Sequence, residues 1–440
     1  MQSYEQKISD ALKRFTLDEI QVENCKSLYK QYEEYLRLNQ KIAWERVIAL
    51  KDEAFMNYEN LPEPSPAQTK DLLKKVACLK LNGGLGTSMG CLGPKSLLNV
   101  RDNRSFLDFS LKQLEYLNTT YGSNVPLVLM NSFNTDKDTL AHLEKVKPAV
   151  TVYNFNQFEL PRMDAESKLP AEVSSQNQFY PPGHGYVYEC LKRSGIVEKL
   201  LAQGVEWLFI SNADNLGAVL DPRIAQFCVS SDKEFVSEQT LKTEMDVKGG
   251  VLMQYDGSIH LLESAQVPAE HMNDFCDTNT FKYFNVNNLW VNLKALMKHQ
   301  NLVLDLIVNP KTVEGKKVIQ LEVAAGAAIA NFNSVGVVVP RKRFQPVKKS
   351  GDLLLLMSDC FEVTKEFLLQ QVVEKLPVVT STALVNEFLN MFQNIPSLKE
   401  AHKVEIDGQV KCGKNVKIVG NFTVQKGESV ELKDGQVVGK

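Results

Sequence analysis

The sequence has no CxxC pair and no paired spacing among its eight cysteines, so it encodes neither a disulfide framework nor a zinc ribbon. The thiols are expected to be reduced, as in a cytosolic protein. The N-terminal stretch MQSYEQKISDALKRF lacks the apolar segment of a secretory signal. No run reaches the roughly 18 apolar residues that a spanning helix needs, so no membrane partner is expected. Basic blocks are absent as well. The net charge is −3, which offers nucleic acid no electrostatic footprint. What is present is ordinary for a globular chain, 44% apolar and 23% charged. At 440 residues the chain is too long for one ordinary core and predicts two or three units.

Two common nucleotide signatures are also missing. The segment Leu81–Ser96, LNGGLGTSMGCLGPKS, follows the apolar run Val76–Leu81, which reads as a buried strand. A dinucleotide fingerprint would need a third glycine where Met89 stands. A Walker loop would need Gly and Lys adjacent, but Pro94 separates Gly93 from Lys95. Gly83, Gly84, Gly86 and Gly90 nevertheless crowd into eight positions. Glycine lets a ligand approach the main chain, and successive N–H groups can cradle phosphate oxygens. With Lys95 as its mobile cation, the loop points to a nucleoside triphosphate. Cys91, within it, reads as a small packed residue.

Short apolar runs alternate with helical stretches from about 76 to 345. Val76–Leu81, Val125–Met130, Val150–Asn154, Trp207–Ser211 and Val251–Gln254 read as strands; Phe109–Leu117 and Tyr186–Leu201 read as helices. This alternation predicts an α/β fold with a mostly parallel sheet and a ligand site beyond the strands' carboxyl ends. Before it, residues 1 to about 60 carry amphipathic helical periodicity, and the proline-rich LPEPSPAQ (Leu61–Gln68) reads as a linker. In the tail, Val404, Val410, Val416 and Phe422 recur every six residues. That period fits a left-handed β-helix of hexapeptide repeats. The expected division is 1–75, an N-terminal helical segment; 76–345, the catalytic domain; 346–400, a helical connection; and 401–440, the β-helix.

Several residues carry chemistry on their own account. Asp214, in SNADN just past an apolar strand, suits a hard divalent ion. Lys348 ends RFQPVK amid Arg341, Lys342, Arg343 and Lys349, so charge alone does not select it. The Gln157 amide offers a donor and an acceptor together. His184 lies between Gly183 and Gly185 after two prolines, in a turn expected to be rigid and exposed.

The glycine loop resembles the nucleotide-binding loop of the eukaryotic UTP–glucose-1-phosphate uridylyltransferases, or UDP-glucose pyrophosphorylases. Further motifs follow in the same order: FNQFELPR (155–162), PPGHG (181–185), FISNADNLGA (209–218), VKGG (247–250), LLESAQVP (261–268), FNVNNLWVNLKA (284–295), VIQLEVAAGAAI (318–329) and VPRKRFQPVK (339–348). The resemblance implies a Rossmann-like, GT-A-like nucleotidyltransferase core with N-terminal helices and a C-terminal left-handed β-helix. It implies synthesis of UDP-glucose and pyrophosphate from UTP and glucose 1-phosphate. Lys95 and Lys348 would be catalytic, and Asp214 would hold Mg2+. Leu81, Asn82, Gly83, Gly84, Gln157 and Gly183 would bind the nucleotide. His184, Asn212, Gly250, Glu263 and Asn287 would bind the sugar phosphate.

The chain departs from the common pattern at Tyr186, where many members have Asp, and at Leu92, where many have Lys. Its tail is expected to stop short of the last β-helix strand, which predicts a monomer or dimer rather than an octamer. The alternatives are a UDP-sugar pyrophosphorylase of other or broader sugar specificity and a non-catalytic UDP-sugar-binding protein. Retention of Lys95, Asp214 and Lys348 argues against the second.

Overall fold

A computed structural model describes residues 4–38, 42–243 and 246–440. Its centre is an eight-stranded sheet of β1 (Phe55–Asn57), β2 (Val76–Leu81), β3 (Leu127–Asn131), β4 (Val152–Asn156), β5 (Trp207–Asn212), β6 (Phe235–Leu241), β7 (Tyr283–Asn292) and β8 (Ser334–Val338). The order is β1-β8-β6-β7-β5-β2-β3-β4. Only β7 runs against its neighbours. The carboxyl ends of the other seven therefore share one edge.

Strand β2, VACLKL, is apolar almost throughout because both faces are covered. Ala77, Leu79, Val128 and Ile210 face one helical layer; Val76, Cys78, Leu127 and Phe209 face the other. The exception, Lys80, is buried and donates to Ser211 Oγ (2.9 Å) and the Ala218 carbonyl (2.8 Å). Helix α3 (Phe106–Tyr121) starts at a reciprocal cap between Ser105 and Asp108 and stops where Gly122 takes φ +58°. The expected helix Tyr186–Leu201 is two helices, Val187–Arg193 and Ile196–Ala202, separated by Gly195 at φ +70°.

Three differences from the sequence reading have physical causes. Val251–Tyr255 is a strand, but it pairs with Ile48–Ala49 and Ser258–Leu262 in a separate small sheet. The proline-rich LPEPSPAQ is packed: Leu61 is buried, and Ser65 and Gln68 form the cap of helix Pro66–Leu73. The chain before residue 76 also supplies β1 to the main sheet. Helices α1 (Tyr4–Leu12) and α2 (Glu19–Leu38) bury Ile8, Leu12, Leu28 and Tyr29 against Ile319 and Leu321 of the hairpin Leu306–Val313/Lys316–Val323.

Residues 346–400 hold two short helices, Ser350–Met357 and Val385–Met391, with short strands between them. The tail stacks parallel strands. Strands β9 (Val378–Ser381), β10 (Ser397–Ile406), β12 (Lys417–Val424) and β14 (Val437–Val438) form one sheet; β11 (Gln409–Cys412) pairs with β13 (Ser429–Leu432). Val404 pairs with Phe422 and Gln409 with Ser429, so one coil takes 18 to 20 residues. Val404, Val410, Val416 and Val424 fill its interior. That core is continuous with Val347, Leu353 and Phe388, and with Met89 at the far end of the glycine loop. Among the described residues no helix is long and apolar enough to cross a membrane.

Candidate functional site

The glycine loop leaves β2 at the carboxyl edge. Asn82 is buried, and its Nδ2 donates to Asn131 Oδ1 (2.7 Å) and Thr139 Oγ1 (3.0 Å). This side chain braces β2 to β3, leaving the backbone of the loop to face outward. Gln157 lies across Gly83: a Cβ there would sit 2.0 Å from Gln157 Nε2. The Gly83 carbonyl is held by Ser132 Oγ (2.8 Å). Gly84 has open space where a side chain would project. Gly86 takes φ +63°, and the loop closes with the Lys95 amide donating to the Gly84 carbonyl (3.2 Å).

Lys95 points back across the site. Its Nζ meets Asp214 Oδ2 at 2.5 Å and donates to the Val347 carbonyl. Three motifs distant in sequence thus meet at one ammonium. Lys348, one residue beyond Val347, is exposed; its Nζ lies 5.8 Å from the centroid of the Phe344 ring. Its amide and that of Lys349 donate to Asp352 Oδ2 (2.7 and 2.8 Å), which anchors the loop to helix Ser350–Met357. The neighbouring arginines are occupied elsewhere. Arg343 is buried against Glu238 (2.6 Å), and Arg341 pairs with Asp246 (2.8 Å). The geometry therefore separates Lys348 from both arginines, as charge alone did not.

On the other side, Asn287 takes φ +57° and donates to Asn212 Oδ1 (2.9 Å). A Cβ on Gly250 would lie 2.8 Å from the Glu263 carboxylate, so glycine makes room for that group. Burial raises the Glu263 carboxyl above its usual range, and the Lys348 charge opposes part of that shift. Gly183 (φ +83°) and Gly185 press on the Val323 backbone, which no side chain would allow. The GHG turn is thus packed rather than exposed. His184 Nδ1 accepts from the Ala325 amide (2.9 Å), placing the ring proton on Nε2. The residue keeps some solvent contact, yet burial of its ring lowers its pKa to about 4. Tyr186 packs edge-on to Phe158, next to Gln157, with centroids 5.5 Å apart.

Six buried side-chain polar atoms of the described residues lack a partner, and three, Ser96 Oγ, Gln157 Oε1 and Asn287 Oδ1, belong to these motifs. Buried acceptors without a protein partner suit a polar ligand that brings donors. For a metal, no cluster of three or more His, Cys, Asp or Glu occurs among the described residues. Asp214 alone fits an ion that keeps waters and substrate phosphates as ligands, as magnesium does.

The sequence reading missed Asn215, Ser132 and the Val347 carbonyl. Asn215 lies inside a quoted motif, but its partners Arg343 and Gln345 are 128 and 130 residues away. No local signal marks such a contact.

The comparisons with known proteins give the family. A profile of the UTP–glucose-1-phosphate uridylyltransferase family matches residues 22–419. The enzyme of that name from Solanum tuberosum is 44% identical over 418 residues, covering 91% of this chain and 88% of its own. The probable counterpart from Schizosaccharomyces pombe is 42% identical over 438 residues, 95% and 86% of the two chains. A UDP-glucose pyrophosphorylase mutant from Leishmania major, crystallised in complex with UDP-glucose, superposes with a TM-score of 0.84 at 31% identity, over 99% of this chain and 98% of its own. With a matched profile over most of its length and relatives this similar, the chain belongs to the UTP–glucose-1-phosphate uridylyltransferase family.

Proposed function

We propose that the protein makes UDP-glucose and pyrophosphate from UTP and glucose 1-phosphate, reversibly. The observation that carries this reading is the meeting of Lys95, Asp214 and the Val347–Lys348 loop at one sheet edge. A phosphate oxygen of glucose 1-phosphate attacks the α-phosphorus of UTP, and the α–β anhydride bond breaks to release pyrophosphate. The nucleophile is already an anion, so no strong base is needed. The barrier is electrostatic, and cations aimed at the developing charge lower it.

In this reading Lys95 and Lys348 are those cations, and Asp214 contributes its carboxylate to Mg2+. When bound, the ion supplies charge neutralisation between the two phosphate groups. The backbone from Leu81 to Gly84, with Asn82 bracing it, Gly183 and the Gln157 amide hold the uridine. His184 offers Nε2–H to the sugar phosphate, beside Asn212, Asn287, Gly250 and Glu263. The expected units 1–75, 76–345, 346–400 and 401–440 share their edges, since β1 of the first lies in the main sheet and β9 of the third opens the coil sheet; the core is GT-A-like and the coil left-handed. The protein works in the cytoplasm as a monomer or dimer.

Pyrophosphate release from UTP with a panel of sugar 1-phosphates tests the activity. Turnover with glucose 1-phosphate well above the other sugars is expected. Comparable turnover with galactose or N-acetylhexosamine 1-phosphates would replace it with a broader UDP-sugar pyrophosphorylase, and none at all would leave a binding protein. Light scattering at micromolar concentration tests the assembly, and a mass of eight chains would overturn it.

A further inference from the structure

The Asp214 loop and the Lys348 loop are joined through one buried amide. Asn215 is 1% exposed and uses both ends of its side chain. Its Oδ1 accepts from the backbone amides of Gly217 (3.2 Å) and Gln345 (2.8 Å). Its Nδ2 donates to the Arg343 carbonyl (3.1 Å) and to Asn288 Oδ1 (3.4 Å). The Asn215 backbone also bridges Pro346 in the antiparallel sense. Arg343 is itself pinned by two bonds to the Glu238 carboxylate (2.6 and 2.7 Å), so the carbonyl that Nδ2 meets is fixed.

Position gives this joint its consequence. Asp214 directly precedes Asn215, and Lys348 stands two residues after Pro346. An amide carries donor and acceptor together, and a buried polar group with all its partners rigidifies what it joins. A carboxylate would lose the donor toward Arg343. An alanine would orphan three backbone groups in two loops, those of Gly217, Arg343 and Gln345.

We propose that Asn215 is a positioning residue that sets the separation of Asp214 and Lys348 for the transfer, an inference that rests on the functional reading above. It is buried beneath the loops and acts through its neighbours. Sub-ångström to ångström misplacement of a reacting group is enough to slow a transfer by about 10–100-fold. Asn215→Ala lowers kcat by that factor while the KM for UTP stays within about twofold, because only transition-state alignment is lost.

Two readouts separate positioning from general damage. The double variant Asn215→Ala/Lys348→Ala is no slower than Lys348→Ala alone, since Asn215 acts through that lysine; independent effects would multiply. In hydrogen exchange on the substrate-free protein, the Lys348 and Lys349 amides exchange faster in Asn215→Ala than in the parent. Asn215→Asp keeps the acceptor oxygens and loses the donor to Arg343; it shows the same changes and carries the test if the alanine variant does not fold. Unchanged kcat, a multiplicative double variant or unchanged exchange overturns the proposal. A parent protein that releases no pyrophosphate sinks the functional reading instead, while the exchange experiment still decides this one.

Discussion

The two walls of the site are mounted differently. The wall assigned to base and sugar in the proposed reading rides on the sheet: Gln157 lies on Gly83, Asn82 is tied to Asn131, and His184 is tied to Ala325. The phosphate wall spans two cores. Lys95 and Asp214 come from the sheet edge, whereas Val347 belongs to the core shared with the C-terminal coil. Gly90 meets the same body, since a Cβ there would touch Leu384 at 3.1 Å. The groups proposed for recognition are thus braced on one sheet, and the charges proposed for the transfer meet across a seam between two cores. The two lysines show the contrast in miniature. Lys95 is 15% exposed and bonded on two sides; Lys348 is exposed and stands against one ring.

The largest effect is expected at the seam. Asp214→Asn keeps the shape of the loop but removes the charge that holds Lys95 and that, in the proposed reading, would serve the metal. Lewis-acid stabilisation contributes several kcal/mol, so turnover falls by more than about a thousandfold. Titration of activity with magnesium checks this, and a normal titration curve would reduce Asp214 to a loop residue. Lys348→Ala comes next. Losing one cation aimed at developing charge costs about 3–4 kcal/mol, or on the order of a hundred- to thousandfold in kcat. Because Lys348 is exposed, its melting temperature and UTP binding stay at parental values. Lys95→Ala breaks the bonds to Asp214 and Val347 as well, so it lowers both rate and stability. If the two lysine variants melt alike, the contrast between the braced Lys95 and the exposed Lys348 is wrong.

Legibility in the sequence follows the same division. Strands β2 and β5 were readable because burial on both faces makes them continuous apolar runs. Strand β6, FVSEQTL, was not. Its Glu238 and Gln239 are fully buried, and Glu238 is neutralised by Arg343, 105 residues on, with Asn288 and Trp290 donating to it. A buried charge paired that far away looks like a surface residue in one dimension. The glycine loop could be read from local glycine density. The turn at His184 was misread as exposed because its cover, Val323–Ala325, lies 140 residues downstream. The tail keeps the six-residue spacing from Val404 through Val410 to Val416, all buried, and breaks it at the next step, where Val424 rather than Phe422 is buried.

A smaller effect tests the rigid wall through pH. His184 is neutral when folded, with its pKa lowered from 6.5 to about 4 by burial. The unfolded chain therefore takes up this proton first. Stability from the neutral ring is complete above pH 6.5 and is lost as pH falls toward 4, reaching on the order of 2 kcal/mol by pH 5. His184→Gln can still accept from the Ala325 amide but does not titrate. Urea unfolding at pH 7 and pH 5 should show a smaller drop for the variant. Equal drops would mean that the ring titrates as in solution and is not packed as described.

The smallest effect concerns Gln157 and sets recognition against stability within one residue. Its Oε1 is buried without a partner among the described residues, a state that costs free energy until a donor arrives. The N3–H of uracil is such a donor, and Nε2 can serve the neighbouring O4. Removing the amide should leave the melting temperature unchanged or slightly higher, because an unsatisfied acceptor disappears with it. Selectivity should fall, since a polar site rejects a mismatched base by leaving its own groups unpaired. One neutral hydrogen bond contributes about 1 kcal/mol, so the UTP-to-CTP preference in kcat/KM should shrink by roughly five- to tenfold in Gln157→Ala. Tyr186→Ala removes the ring that packs on Phe158 and should reproduce part of this loss without touching the amide. An unchanged preference in Gln157→Ala would assign the base to the Leu81–Gly84 backbone alone and leave the orphaned oxygen without a purpose.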